Sequence, residues 1–97
     1  MNAERILNAL ARYHRLRILD IISESGNEGL IVTAATKLLP VGQSTTTHHL
    51  TLMLNAGVLN MAVEGHYHLY RINVETLEWI VNYLNNVITK CKKGEVV

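Results

Sequence analysis

The spacing of apolar residues predicts a run of helices. Residues 3–11 place Ile6, Leu7 and Leu10 at helical intervals, and residues 13–24 repeat the pattern with Leu16, Leu19 and Ile22, supplemented by Ile18 and Ile21. Ser25-Gly26-Asn27-Glu28-Gly29 is expected to turn, because its two glycines and its asparagine accept positive φ at little cost. Thr33 is then expected to cap a short third helix that runs to about Leu39 and is stopped by Pro40. A fourth helix is expected from about Gln43 to Asn55, closed by Gly57 at its C′ position.

After Gly57 the period becomes extended. Val58–Val63 and His66–Ile72 flank Glu64-Gly65, which is expected to make a tight hairpin turn. Asn73 suits an N-cap, and Glu75 suits the first turn of the helix that follows, where the dipole favours negative charge. Leu77, Ile80, Val81, Leu84 and Ile88 then form one helical stripe, with Trp79, Tyr83 and Val87 on an adjacent face. A stripe that wide buries more than one side of a helix, and in so short a chain a second copy is the simplest partner for the second side. The order is helix, helix, helix–turn–helix, two-stranded hairpin, helix. That is a winged helix-turn-helix, mainly α with a β-hairpin wing. With no repeat, low-complexity tract or linker, residues 1–97 read as a single domain.

Composition narrows the picture. The 97 residues are 48% hydrophobic, enough for a core, and nine Lys+Arg against eight Asp+Glu give a formal charge of +1. Bulk charge therefore does not single out a nucleic-acid partner. No apolar run approaches the ~20 residues a bilayer needs, so no membrane partner is expected. Met1–Arg5 has no apolar signal core behind it, and the single Cys91 cannot form an intrachain disulfide; both fit a cytoplasmic setting. The placement of charge is more telling. From Leu38 to Val63 there is no Asp, Glu, Lys or Arg, while basic residues gather at Arg12, Arg15, Arg17 and at Lys90, Lys92, Lys93.

The uncharged stretch contains the fourth helix, which divides by face. Thr46, His49, Leu50, Met53 and Leu54 form the inward stripe, and Ser44, Thr47, His48, Thr51 and Asn55 fall on the opposite side. The outward residues are short or planar hydrogen-bonding groups, able to donate to phosphate oxygens and to read groove edges, and Gln43 is suited to bidentate pairing with adenine. The helix N-terminus adds free N–H groups and a positive dipole end. A merely solvated polar face is the competing reading. Position on the second helix of a helix-turn-helix, ahead of a wing, favours DNA.

Gly42-Gln43-Ser44-Thr45-Thr46-Thr47-His48-His49-Leu50, followed by Leu54-Asn55-Ala56-Gly57-Val58-Leu59, resembles the recognition helix of the arsenic-repressor-type (ArsR/SmtB) regulators. Ala9-Leu10-Ala11, Arg15-Leu16-Arg17-Ile18-Leu19 and the wing from Glu64-Gly65-His66 to Tyr70-Arg71 match in order and spacing, so the resemblance spans residues 7–88. It implies a homodimeric transcriptional repressor whose first and last helices pair, with Ile6, Leu10, Trp79, Tyr83, Leu84 and Val87 as candidate interface residues. It also implies that Gln43, Ser44, Thr47 and His48 face the major groove and that His49 seats the helix; Thr45, Thr51, His66 and Arg71 complete the candidate DNA-binding set. Thr46 stands where the family usually has Val, and Gly42 where it has a capping Ser. Asn60-Met61-Ala62-Val63 lacks the family's wing arginines, and His66 replaces another, so this wing is expected to grip phosphate weakly.

Many members of that family sense metal through a Cys-x-Cys pair on the third helix or Asp/His ligands on the last. Here the third-helix region reads Leu30-Ile31-Val32-Thr33-Ala34-Ala35 and the last helix carries neither His nor Asp, so no metal site and no cofactor are expected. His66 and His68 alternate along the expected second strand, with Met61 and Val63 opposite, but two imidazoles are too few to close a tetrahedral zinc site. Cys91, among Lys90, Lys92 and Lys93, reads as an incidental thiol on a helix end. Arg12 and Arg15 can share a helical face, Arg15 and Arg17 cannot, and these residues either reach phosphates or decorate the surface. The sequence shows no catalytic constellation, and an enzyme is not expected. Two readings of function follow: a dimeric sequence-specific DNA-binding repressor acting on an inverted-repeat operator, or a winged-helix module that binds another protein. Near-neutral charge makes the first a binder with few phosphate contacts, drawn from helix N-termini and from Arg12, Arg15, Arg17 and Arg71.

Overall fold

The computed structural model describes residues 1–95; the last two residues of the expected domain lie outside them. The described residues form α1 (Ala3–Leu10), α2 (Tyr13–Glu24), α3 (Val32–Leu38), α4 (Gln43–Asn55), β1 (Leu59–Glu64), β2 (Tyr67–Ile72) and α5 (Val74–Glu95). This is the predicted order, mainly α with one two-stranded antiparallel hairpin.

Helix α4 lies at the centre. Its Thr46, Leu50 and Met53, at i, i+4 and i+7, are completely buried, and they share a core with Ile6 and Ala9 of α1, Ile18 and Ile22 of α2, Ala35 of α3, and Val58 and Leu59 beyond the helix. Several predicted core positions shift by one face. Leu16 is exposed, and Ile18 takes the inward place on α2; Leu7 is likewise exposed while Ala9 is buried on α1. The apolar residues of both helices cover more than one face, so periodicity alone does not choose between them.

Helix ends follow local chemistry. Asn2 caps α1, its Oδ1 accepting from the Arg5 N–H at 3.1 Å. Helix α3 starts two residues earlier than expected: Ile31 is its N-cap, without a side-chain bond, and Thr33 is already inside the helix. The backbone explains the early start, since Leu30 pairs with Tyr70 by two 2.9 Å hydrogen bonds and delivers the chain to α3 directly from the wing. Thr46, the departure from the usual Val, donates its hydroxyl to the Gly42 carbonyl at 3.0 Å.

Gly57, at φ +80°, turns α4 into the wing. Its N–H bonds the Leu54 carbonyl and the Val58 N–H bonds the Met53 carbonyl, each at 3.0 Å, which is a Schellman motif. The Val58 carbonyl accepts from the Asn73 N–H at 2.9 Å, immediately before α5. One buried residue thus joins the end of α4, the start of the wing and the start of α5.

Radius of gyration is 15.6 Å and the longest dimension 58 Å, against about 13 Å for a compact chain of this length. The excess comes from α5. Leu77 and Ile80 pack on the body, but every residue from Val81 to Gly94 is exposed, including Val81, Tyr83, Leu84, Val87 and Ile88.

Candidate nucleic-acid interface

Helices α3 and α4 are joined by Leu39-Pro40-Val41-Gly42, which sets them as a helix–turn–helix. Burying Thr46, Leu50 and Met53 fixes the rotation of α4, and that rotation leaves Gln43, Ser44, Thr45, Thr47, His48, Thr51 and Asn55 exposed. The five residues read as outward from the sequence, Ser44, Thr47, His48, Thr51 and Asn55, are thus all exposed. Gly42 provides no side-chain cap and the first turn holds no carboxylate, so the N–H groups at the start of α4 stay open and the positive end of its dipole is uncompensated.

His49 lies on the edge of this helix and is half-buried. Its ring stands 5.8 Å from that of His14 on α2, and the Nδ1 atoms of both are buried without a hydrogen-bond partner. Burial pushes the His49 pKa below its ordinary value, reinforced by the positive charge of Arg15 and then by His14, His48 and Arg12. These effects favour the neutral imidazole of His49, which packs beside His14 of α2.

The wing differs in detail from expectation. Glu64 pairs with Tyr67, so the two-residue loop is Gly65-His66 rather than Glu64-Gly65. Only Gly65 has positive φ there, the pattern of a type II′ turn. His66 therefore sits in the turn, not on a strand beside His68. Across the hairpin His68 faces Val63, and Met61 faces Tyr70. Met61, Val63 and Tyr67 are exposed. Arg71, the only arginine of the hairpin, lies 3.7 Å from Glu64.

The basic residues of α2 also separate. Arg17 approaches Glu24 at 3.8 Å. Arg15 turns inward, 8% exposed, which removes it from the surface set expected to attract phosphate. Periodicity held the signal: Arg15 precedes the buried Ile18 and Ile22 by three and seven residues.

The candidate pairing residues do not form one surface. Ile6 is 1% exposed and belongs to the protomer's own core, which takes it out of the candidate interface. Leu10 and Trp79 are half-buried; Trp79 stacks on Tyr83 with centroids 6.0 Å apart, and Tyr83, Leu84 and Val87 are exposed. Among the described residues no three His, Cys, Asp or Glu side chains gather as a metal site, and no helix is long and apolar enough to cross a membrane.

No protein-family model and no curated protein matches the chain. Solved structures do. An ArsR-like transcriptional regulator from Rhodococcus sp. RHA1 superposes with a TM-score of 0.82 at 20% identity, covering 93% of this chain and 80% of that one. The homodimeric winged helix-turn-helix DNA-binding domain of a possible ArsR-family regulator from Mycobacterium bovis gives 0.69 at 24% identity, covering 90% and 78%. The transcriptional repressor PagR of Bacillus anthracis gives 0.67 at 30% identity, covering 84% and 90%. With the order of its elements, the Schellman junction into the wing and this likeness in both sequence and fold, the chain belongs to the ArsR family of winged helix-turn-helix transcriptional regulators.

Proposed function

We propose that the protein is a homodimeric, sequence-specific DNA-binding repressor, acting as one domain over residues 1–97 without the family's metal ligands and without catalysis. The observation that carries this reading is the exposed face of α4: Gln43, Ser44, Thr45, Thr47, His48 and Thr51 include no Asp, Glu, Lys or Arg and are all capable of hydrogen bonding. Such a face contributes little long-range attraction and much local discrimination, which is the chemistry of base reading. His66 at the wing tip and Arg71 beside Glu64 would add contacts at the flank.

Pairing is supported by the unburied half of α5. Tyr83, Leu84 and Val87 leave the body on a helix with no intrachain cover, and a second copy would bury them. A twofold pair then presents two α4 helices to successive major grooves, so the operator is an inverted repeat. The decisive experiment is binding to DNA from the protein's own upstream region at low and moderate salt. A shift with a shallow salt slope is expected, because Arg15, Arg17 and Arg71 are already engaged or buried. Absence of a shift at low salt, with the dimer intact, overturns the repressor reading. It would favour a protein-binding module, for which the exposed Met61, Val63 and Tyr67 of the wing are the supporting observation.

A further inference from the structure

Between the end of α1, the start of α2 and the last turn of α4 lies a cleft of about 380 Å³, lined by Arg5, Asn8, Arg12, Arg15, Leu52 and Asn55. Three arginines and two amides share a concave wall without one carboxylate. We propose that this cleft binds a small organic or inorganic anion through a phosphate or carboxylate group, held by Arg5, Arg12 and Arg15 and flanked by the amides of Asn8 and Asn55.

Arg15 is the centre of the inference. More than nine-tenths of it is buried, its Nε has no hydrogen-bond partner, and none of the ion pairs among the described residues involves Arg5, Arg12 or Arg15. A buried cation is costly unless it is paired and hydrogen-bonded. Its neighbour aggravates the cost: the Arg15 pKa is pushed down by burial first and by the charge of Arg12 second. Both residues sit at the α2 N-terminus, where Arg12 is the N-cap, no side chain bonds the free N–H groups and no acid occupies the first turn. Cations at the positive end of a helix reverse the usual preference. Repulsion between Arg12 and Arg15 and the uncompensated helix dipole are both relieved by the same thing, an anion in the cleft. Guanidinium groups grip carboxylate and phosphate oxygens in pairs, which suits a ligand with one such head group.

Position argues for a free anion over the duplex backbone. Asn55 stands at the far end of α4, about 18 Å along the axis from Gln43 at 1.5 Å per residue, and α1 walls the cleft on its other side. Because the site joins α1 to α4, an occupant would bias the setting of α4 against the body; that consequence alone rests on the proposed DNA-binding function.

The test is a titration of the DNA-free protein at low salt with inorganic phosphate, and with citrate in a parallel arm, read by thermal shift and by amide chemical-shift mapping. Saturable stabilisation is expected, with shifts confined to residues around Arg5–Arg15 and Asn55, and the arm with the tighter response names the head group. Arg12→Gln, at an exposed position, should weaken the response at least about tenfold, and Arg15→Met should abolish it. Lys92→Gln, at the far end of α5, should leave it unchanged. If Arg15→Met does not fold, Arg12→Gln and Arg5→Gln carry the comparison. Equal stabilisation of Arg12→Gln and the unaltered protein would mean an adventitious ion only and overturn the proposal. So would the absence of any response in either arm. Loss of DNA affinity in Arg12→Gln without any response to the two probes would also overturn it, by assigning the arginines to backbone phosphate. Since no DNA is present in the titration, failure of the repressor reading leaves its outcome intact.

Discussion

Asn27 and Ile72, 45 residues apart, are joined by both halves of one amide: Asn27 Oδ1 accepts from the Ile72 N–H at 2.7 Å, and Asn27 Nδ2 donates to the Ile72 carbonyl at 3.2 Å. The side chain imitates a neighbouring strand at the end of β2, and Asn27 itself takes φ +65°, a conformation that asparagine tolerates better than most residues. Asn27→Ala should destabilise the fold by about 2 kcal/mol, the sum of two modest hydrogen bonds and the left-handed backbone. Asn27→Gly, which relieves the backbone but not the amide, should cost less. Urea melts of the three proteins check the order; an alanine variant as stable as the parent would show that the clamp contributes nothing.

Acid should loosen the domain through His49. Its folded pKa lies below the ordinary 6.5 because burial, then the charge of Arg15, disfavour the imidazolium. The unfolded chain therefore binds the extra proton more readily, and stability rises with pH through this window. The contribution is complete above the unfolded value and is lost as pH falls from about 6.5 through the depressed folded pKa. Melting temperature followed from pH 7.5 down to pH 5 should decline, and His49→Gln should flatten that decline. An identical slope in the variant would assign the effect to other groups.

The outward face of α4 yields a prediction about discrimination. Thr47→Ala or His48→Ala should cost roughly 1–3 kcal/mol on the cognate operator, with little change on unrelated DNA, where a base contact is lost. Competition binding with a scrambled duplex makes the distinction. Equal weakening on both duplexes would place these residues on phosphate alone.

Pairing is tested on the part of α5 that leaves the body. Leu84→Glu should give a monomer by sedimentation and should abolish operator binding, because it sets a carboxylate in the apolar row formed with Val87 and Val81. The protomer fold should survive, since Leu84 contributes nothing to the core. A monomer that binds the operator with undiminished affinity contradicts the paired architecture.

Much of this molecule is readable from residue order, and the unreadable part has a common cause. Helix α4 was delimited by Gly42 and Gly57 and its two faces by chemistry, because a polar outward row beside Thr46, Leu50 and Met53 leaves one way to turn the helix. Trp79, Tyr83 and Val87, beside the stripe that holds Leu84, signalled a second apolar face because one small body has no room for it. What escaped depended on distant partners. Nothing near Thr33 announces that Leu30 pairs with Tyr70 and starts α3 early. Nothing near Asn27 announces Ile72. Arg15 was expected at the surface because it is charged, although its place in the Ile18–Ile22 row was visible in the same pattern.

Val58 has a mechanical consequence. Its N–H is fastened to the last turn of α4, its carbonyl to the residue that opens α5, and its side chain is fully enclosed. No hinge separates the two helices at that point. A substitution that displaces Val58 would therefore disturb the last turn of α4 and the start of α5 together.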